Sequence, residues 1–185
     1  MIFSDNKLKI EKENARIADN FLHSKSKWVG LTNIHLLDHI DRFANYKKYI
    51  IYEMNTEDFV KIYKSSKNLD NVSISNQNIF QAKIPPKISY LHLDLCCHIY
   101  TAIEQNMFGF FLNLLQDRKF KKKFIVDITF CSRCNQHEYV DKNRLIDAII
   151  SIFKPEKLNI ERYRGGESGN GSPMINIFMA CRRMK

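Results

Sequence analysis

Two acidic residues close strand-like apolar runs in this sequence. Lys48-Tyr49-Ile50-Ile51-Tyr52-Glu53 is one and Ile88-Ser89-Tyr90-Leu91-His92-Leu93-Asp94 is the other. Short runs rich in β-branched and aromatic residues read as buried strands. In an open α/β sheet, ligands bind outside the carboxyl ends of the parallel strands. Glu53 and Asp94 therefore mark a candidate crevice, where carboxylates can accept hydrogen bonds from hydroxyl or amino groups.

A second group has metal-ligand chemistry. Cys131-Ser132-Arg133-Cys134 has the spacing of a zinc half-site, with His137 nearby. A structural zinc needs four ligands, and no second Cys-x-x-Cys exists. Cys96, Cys97 and His98 would approach Cys131 and Cys134 if their strands are neighbours. A packed cysteine cluster is the commoner arrangement, and no metal is assigned. His92, in mid-strand, reads as a core residue. Tyr52, Tyr90 and Tyr163 could stack on a base, though ordinary packing is commoner.

The elements that must position these groups follow from periodicity. Residues 6–24 read as an amphipathic helix carrying Ile10, Ala15, Ile17, Ala18, Phe21 and Leu22. A short strand is expected at Trp28–Leu31, then a helix from Ile34 to Phe43 capped by Thr32 or Asn33. After strand 48–53, Asn55 or Thr56 caps a helix with Glu57 and Asp58 in its first turn. Val72–Ile74 is a short strand. Pro85-Pro86 turns the chain into strand 88–94. Residues 99–116 read as one helix, and 124–130 as a strand. A helix over 142–153 and a strand over 158–163 follow. The loop from Arg164 to Ser172, with four glycines, leads to a last strand at 174–180. Alternating strands and helices give a parallel sheet with right-handed crossovers. The final helix-free connection makes the last strand antiparallel.

This order resembles that of the class I S-adenosylmethionine-dependent methyltransferases over residues 25–181. The resemblance implies a mostly parallel seven-stranded Rossmann-like sheet with helices on both faces and a final antiparallel strand. It also implies S-adenosylmethionine as cofactor. Gly30 stands for the family's first-strand glycine loop. Glu53 stands where the family places the acid that binds the ribose hydroxyls, near the spacing of about 20 residues from glycine loop to ribose acid. Asn76-Gln77-Asn78-Ile79-Phe80 resembles the segment beside the adenine, with Asn78 in the usual acid's place. Asp94-Leu95-Cys96-Cys97 lies where many members have an acid near the methyl acceptor, which gives Asp94 a catalytic as well as a cofactor-side role. The family's Gly-x-Gly is reduced to Gly30, and the Asp/Asn-Pro-Pro-Tyr/Phe tetrapeptide of amino-methyltransferases is absent. Two functions therefore stand open: an active methyltransferase, or a degenerate module that binds nucleic acid or a protein partner.

The chain has 185 residues and a formal net charge of +9. An excess of this sign suits an anionic partner, and nucleic acid is the expected one. It is concentrated at Arg118-Lys119-Phe120-Lys121-Lys122-Lys123 and Arg182-Arg183-Met184-Lys185, read as a solvated helix end and a tail. The expected organisation is an N-terminal helix over 1–24 and one domain over 25–185. A homodimer or partner subunit would supply the substrate recognition that so short a chain lacks. No apolar run approaches the roughly 20 residues of a membrane span, and the start carries no signal-like core, so a cytoplasmic protein is expected.

Overall fold

The computed structural model describes residues 5–31, 46–131, 142–164 and 171–183. Seven strands form one sheet: β1 (Lys27–Leu31), β2 (Lys48–Tyr52), β3 (Val72–Ser75), β4 (Ile88–His98), β5 (Phe120–Cys131), β6 (Lys157–Arg164) and β7 (Pro173–Arg182). Their spatial order is β3-β2-β1-β4-β5-β7-β6. The first five pair in parallel, and β7 runs antiparallel to both β5 and β6. The strand order reverses between β1 and β4, which is the topological switch point of this sheet. The expected Rossmann-like architecture and antiparallel last strand are both present.

Five helices complete the described chain: α1 (Asp5–Phe21), α2 (Thr56–Ser66), α3 (Ile99–Glu104), α4 (Met107–Gln116) and α5 (Lys142–Phe153). Asn55 caps α2, its Oδ1 accepting from Glu57 N at 2.9 Å and Asp58 N at 3.1 Å. The single helix expected over 99–116 is two. Asn106 takes a left-handed conformation, φ 68°, and breaks it. Gly109 leaves room for that turn, since a Cβ there would lie 2.3 Å from Asn106 Oδ1.

The sheet's two faces differ because strand residues alternate. Val29, Leu91, Leu93, Val126, Ile128, Ile177 and Met179 build one face, packed with α4 and α5 residues Phe110, Phe111, Leu114, Ile146 and Ile149. The other face carries Trp28, Tyr49, Ile51, Tyr90, Ile125, Phe178 and Ala180, under Ala18 and Phe21 of α1. Burying side chains of this size contributes about 1.5–3 kcal/mol each, so the two faces hold the sheet rigid under the site.

Three expectations are corrected. β4 does not end at Asp94 but continues to His98, because β5 extends alongside and pairs Asp94 with Thr129 and Leu95 with Phe130. β5 begins at Phe120, so Lys121, Lys122 and Lys123 lie in a strand and not at a helix end. Arg182 likewise belongs to β7, opposite Lys123, and not to a tail. The helix expected over Ile34–Phe43, the segment Ser132 to His137, the glycines of 165–170 and the last two residues lie outside the described residues.

Candidate functional site

The candidate crevice lies at the carboxyl ends of the strands, where β1 stops while β4 continues. Gly30 pairs with His92, so Asp94 lies two residues beyond the last β1 residue paired with β4. Leu31 pairs with Tyr52, and Glu53 is the next residue after β2. By register Glu53 and Asp94 therefore share one level, on the strands flanking β1, two strand spacings or about 10 Å apart.

Glu53 is half-buried. Its Oε1 accepts from Asn55 N at 2.7 Å, which holds the carboxylate at the turn into α2. Its backbone N donates to Ser75 O at 3.0 Å and ties the turn to β3. Oε2 has no partner among the described residues.

Asn78 sits after β3, at the same end of the sheet. Its Oδ1 accepts from Phe80 N at 3.0 Å, and its Nδ2 donates to Gln105 Oε1 at 3.2 Å. The amide thus links the β3–β4 connection to the turn between α3 and α4.

Gly30 is buried within β1. A Cβ at this position would stand 2.2 Å from the carbonyl oxygen of His92. The lack of a side chain lets β1 and β4 approach at the switch point, so the glycine already has a packing reason.

Asp94 is engaged by a residue that periodicity did not single out. Lys7 Nζ donates to Asp94 Oδ2 at 2.7 Å, and Glu11 Oε1 lies 3.9 Å from the same ammonium. The side chains of Lys7 and Asp94 are only 17% and 7% exposed, so the pair is poorly screened.

Below it lies a buried polar network. Asp127 accepts from Tyr90 Oη at 2.7 Å and from Asn176 Nδ2 at 2.6 Å, with His92 Nδ1 at 3.5 Å. Asn176 also reaches Thr129 Oγ1 at 2.9 Å and accepts from Asn14 Nδ2 at 3.0 Å. Burial raises the Tyr90 phenol well above its ordinary range, and the neighbouring Asp127 adds to that. Tyr90 is wholly buried and cannot stack on a base.

Lys7, Glu11, Asn14, Ala18 and Phe21 recur at helical spacing and define the sheet-facing side of α1. Its polar first half meets Asp94 and Asn176, and its apolar second half meets the aromatic face. The expected amphipathic helix exists, but polar residues occupy half of its buried side. No sequence signal marks Lys7. The run of polar residues with one parity in β5 and β7, namely Asp127, Thr129 and Asn176, could have revealed the polar floor.

The backbone register places His98 opposite Cys131, as the proposed cysteine neighbourhood requires. Cys131 is half-buried and Cys181 buried, both as free thiols. Burial pushes Cys181 up to about 12, away from thiolate chemistry. Among the described residues no group of three or more His, Cys, Asp or Glu could hold a metal. No described helix is long and apolar enough to cross a membrane.

This strand order, with its reversal between β1 and β4, is the class I methyltransferase fold. No protein-family model and no curated protein matches the sequence. Solved structures do match, over nearly the whole chain. An rRNA methylase from Streptococcus thermophilus superposes with a TM-score of 0.62 at 10% identity, covering 96% of this chain and 97% of that one. The N-methyltransferase NodS from Bradyrhizobium japonicum WM9, in complex with S-adenosyl-L-homocysteine, gives 0.61 at 9%, covering 96% and 88%. M. jannaschii TYW2 in complex with AdoMet gives 0.60 at 12%, covering 100% and 79%. At these identities the likeness concerns the fold.

Proposed function

We propose that this chain is an S-adenosylmethionine-dependent methyltransferase acting on nucleic acid. The observation that carries the reading is the shared level of Glu53 and Asp94 on either side of β1, at the switch point of a methyltransferase sheet. The donor set suits the cofactor at one end. Glu53 is fixed through one carboxylate oxygen, and the other can accept from a ribose hydroxyl. Asn78 lies in the adenine position of the resemblance, with part of its amide already used by Phe80 and Gln105. Asp94 would orient the acceptor once Lys7 is shared or displaced. The bound cofactor supplies an electrophilic methyl group, and the protein's contribution is to align the acceptor with it. The net charge of +9 and the neighbours that are rRNA methylases favour a nucleic-acid acceptor.

A second reading is supported by a specific contact. The 2.7 Å pair of Lys7 with Asp94 occupies the acceptor side of the crevice, as suits a module that keeps the fold and has lost catalysis. Calorimetric titration with S-adenosylmethionine separates the two. Binding at micromolar concentration, abolished in Glu53→Ala with unchanged circular dichroism, is the expected result. No heat at millimolar cofactor would leave only the binding module.

A further inference from the structure

The two basic clusters of the sequence meet in space, at the end of the sheet opposite the crevice. β1, β2, β4 and β5 all start there and β7 ends there. Lys27 pairs with Lys48 across β1 and β2. Lys87, left-handed at φ 69°, directly precedes β4, whose first residue pairs with Phe120 of β5. Lys123 pairs with Arg182. Arg183 donates its backbone N to Lys122 O at 2.9 Å and its Nη1 to Phe120 O at 3.0 Å, which anchors the end of β7 against β5.

We propose that this amino-terminal edge of the sheet, centred on Lys48, Lys27, Lys87, Lys122, Arg182 and Arg183, is a second binding surface that grips nucleic-acid phosphates without reading sequence. From β2 to β7 the row spans four strand spacings, about 19 Å. The crowding is physical. Lys27 is held below the ordinary lysine range, first by partial burial and then by the charges of Lys48 and Lys87. An anion laid along the edge would relieve that repulsion. Glu156 pairs with Arg182 and offsets one of the six charges, while Asp117 is taken by Lys119 outside the row. Lys48, Lys87 and Lys122 are exposed. The row is made of strand ends and turns, a line of cations set at strand spacing along one edge, which suits the repeated charges of a phosphate backbone. The inference deepens the nucleic-acid half of the proposed function, and it does not require a methyl-transfer reaction. A long substrate would be held at this edge and around one side of the sheet while its target reaches the crevice.

The test is fluorescence anisotropy of a short fluorescein-labelled single-stranded RNA across a salt series. The variant Lys48→Ala/Lys87→Ala/Lys122→Ala is compared with the charge-matched control Lys9→Ala/Lys64→Ala/Lys67→Ala, whose positions are also exposed. The rim variant should lose at least tenfold in affinity at low salt, and its slope of log K against log salt should shrink by about 2, at roughly 0.7 per phosphate contact. The control should keep the parent slope. Equal losses in both variants would reduce the effect to net charge and overturn the proposal. So would an unchanged slope in the rim variant, or binding of the parent to phosphatidylserine vesicles but not to RNA. S-adenosylmethionine calorimetry on the rim variant keeps this outcome apart from the crevice reading, since cofactor binding there should equal that of the parent.

Discussion

Lys7, near the start of α1, donates to Asp94 across 87 positions of sequence and fastens that helix to the mouth of the crevice at 2.7 Å. The same helix is fastened again one turn beyond Glu11, where Asn14 donates to Asn176. Its far end is held by Ala18 and Phe21 on the aromatic face. α1 is thus set by polar contacts at its amino half and by burial at its carboxyl half.

The ion pair should be measurable as a coupling. In a double-mutant cycle of Lys7→Met and Asp94→Asn, followed by urea unfolding, the interaction term should be about 1–3 kcal/mol. A surface pair would give well under 1 kcal/mol, and that value would mean α1 is docked by its apolar half alone.

Asp127 should be among the most sensitive positions in the chain. Asp127→Ala removes the carboxylate that accepts from Tyr90 and one of the two acceptors of the Asn176 amide, inside a buried network. The cost should be about 3–5 kcal/mol, visible as a fall in the urea midpoint with little change in m. Thr129→Val, which removes only one partner of Asn176, should cost about 1 kcal/mol.

The periodicity of the strands and the order of the elements carried the fold into the sequence, and the α1 face shows where that legibility stopped. Apolar alternation identifies β4 and β5 because each buries one side chain in two. It cannot identify Lys7, Glu11 and Asn14 as a buried side of α1. Polar residues become a docking face only when the opposite surface is polar, and that surface is assembled from β4, β5 and β7. The acids were legible for a different reason. Glu53 directly follows an apolar run, and the mouth of a parallel sheet lies where such runs end. Asp94 was placed on the right strand but not at its end, because the length of β4 depends on β5 beside it. The basic clusters are legible as charge but their meeting is not, since their convergence depends on antiparallel β7 returning to the start of β5.

Gly30→Ala should separate packing from binding. Its Cβ would meet the carbonyl of His92 at 2.2 Å, and that oxygen is backbone and cannot swing aside. β1 and β4 would have to part, at a cost of about 1–3 kcal/mol. The lowered thermal midpoint should appear whether or not S-adenosylmethionine is present. Normal stability with lost cofactor affinity would instead assign the glycine to the cofactor.

Tyr46 gives a test of the buried aromatic face through pH. It is 4% exposed, and its hydroxyl has no hydrogen-bond partner among the described residues. Burial, with the charge of Asp19 behind it, raises its phenol far above the ordinary value. A raised acid keeps its proton in the folded state while the unfolded chain releases it near pH 10. Its contribution is therefore intact below about pH 10 and is lost as pH rises beyond that towards the folded-state value. Tyr90, raised for the same first reason, adds to the fall. Urea midpoints of the parent should be level from neutral pH to about pH 8, decline gently as the Cys181 thiol, also raised by burial, titrates in the unfolded chain, and drop steeply beyond about pH 10. Tyr46→Phe removes one of these titrations and an unsatisfied buried hydroxyl. At neutral pH it should be more stable by about 1 kcal/mol, and its alkaline decline should be shallower. Lysine titration acts equally on parent and variant, so the difference between their curves isolates the tyrosine. Parallel curves with the variant lower throughout would mean that the Tyr46 hydroxyl is satisfied in the folded protein.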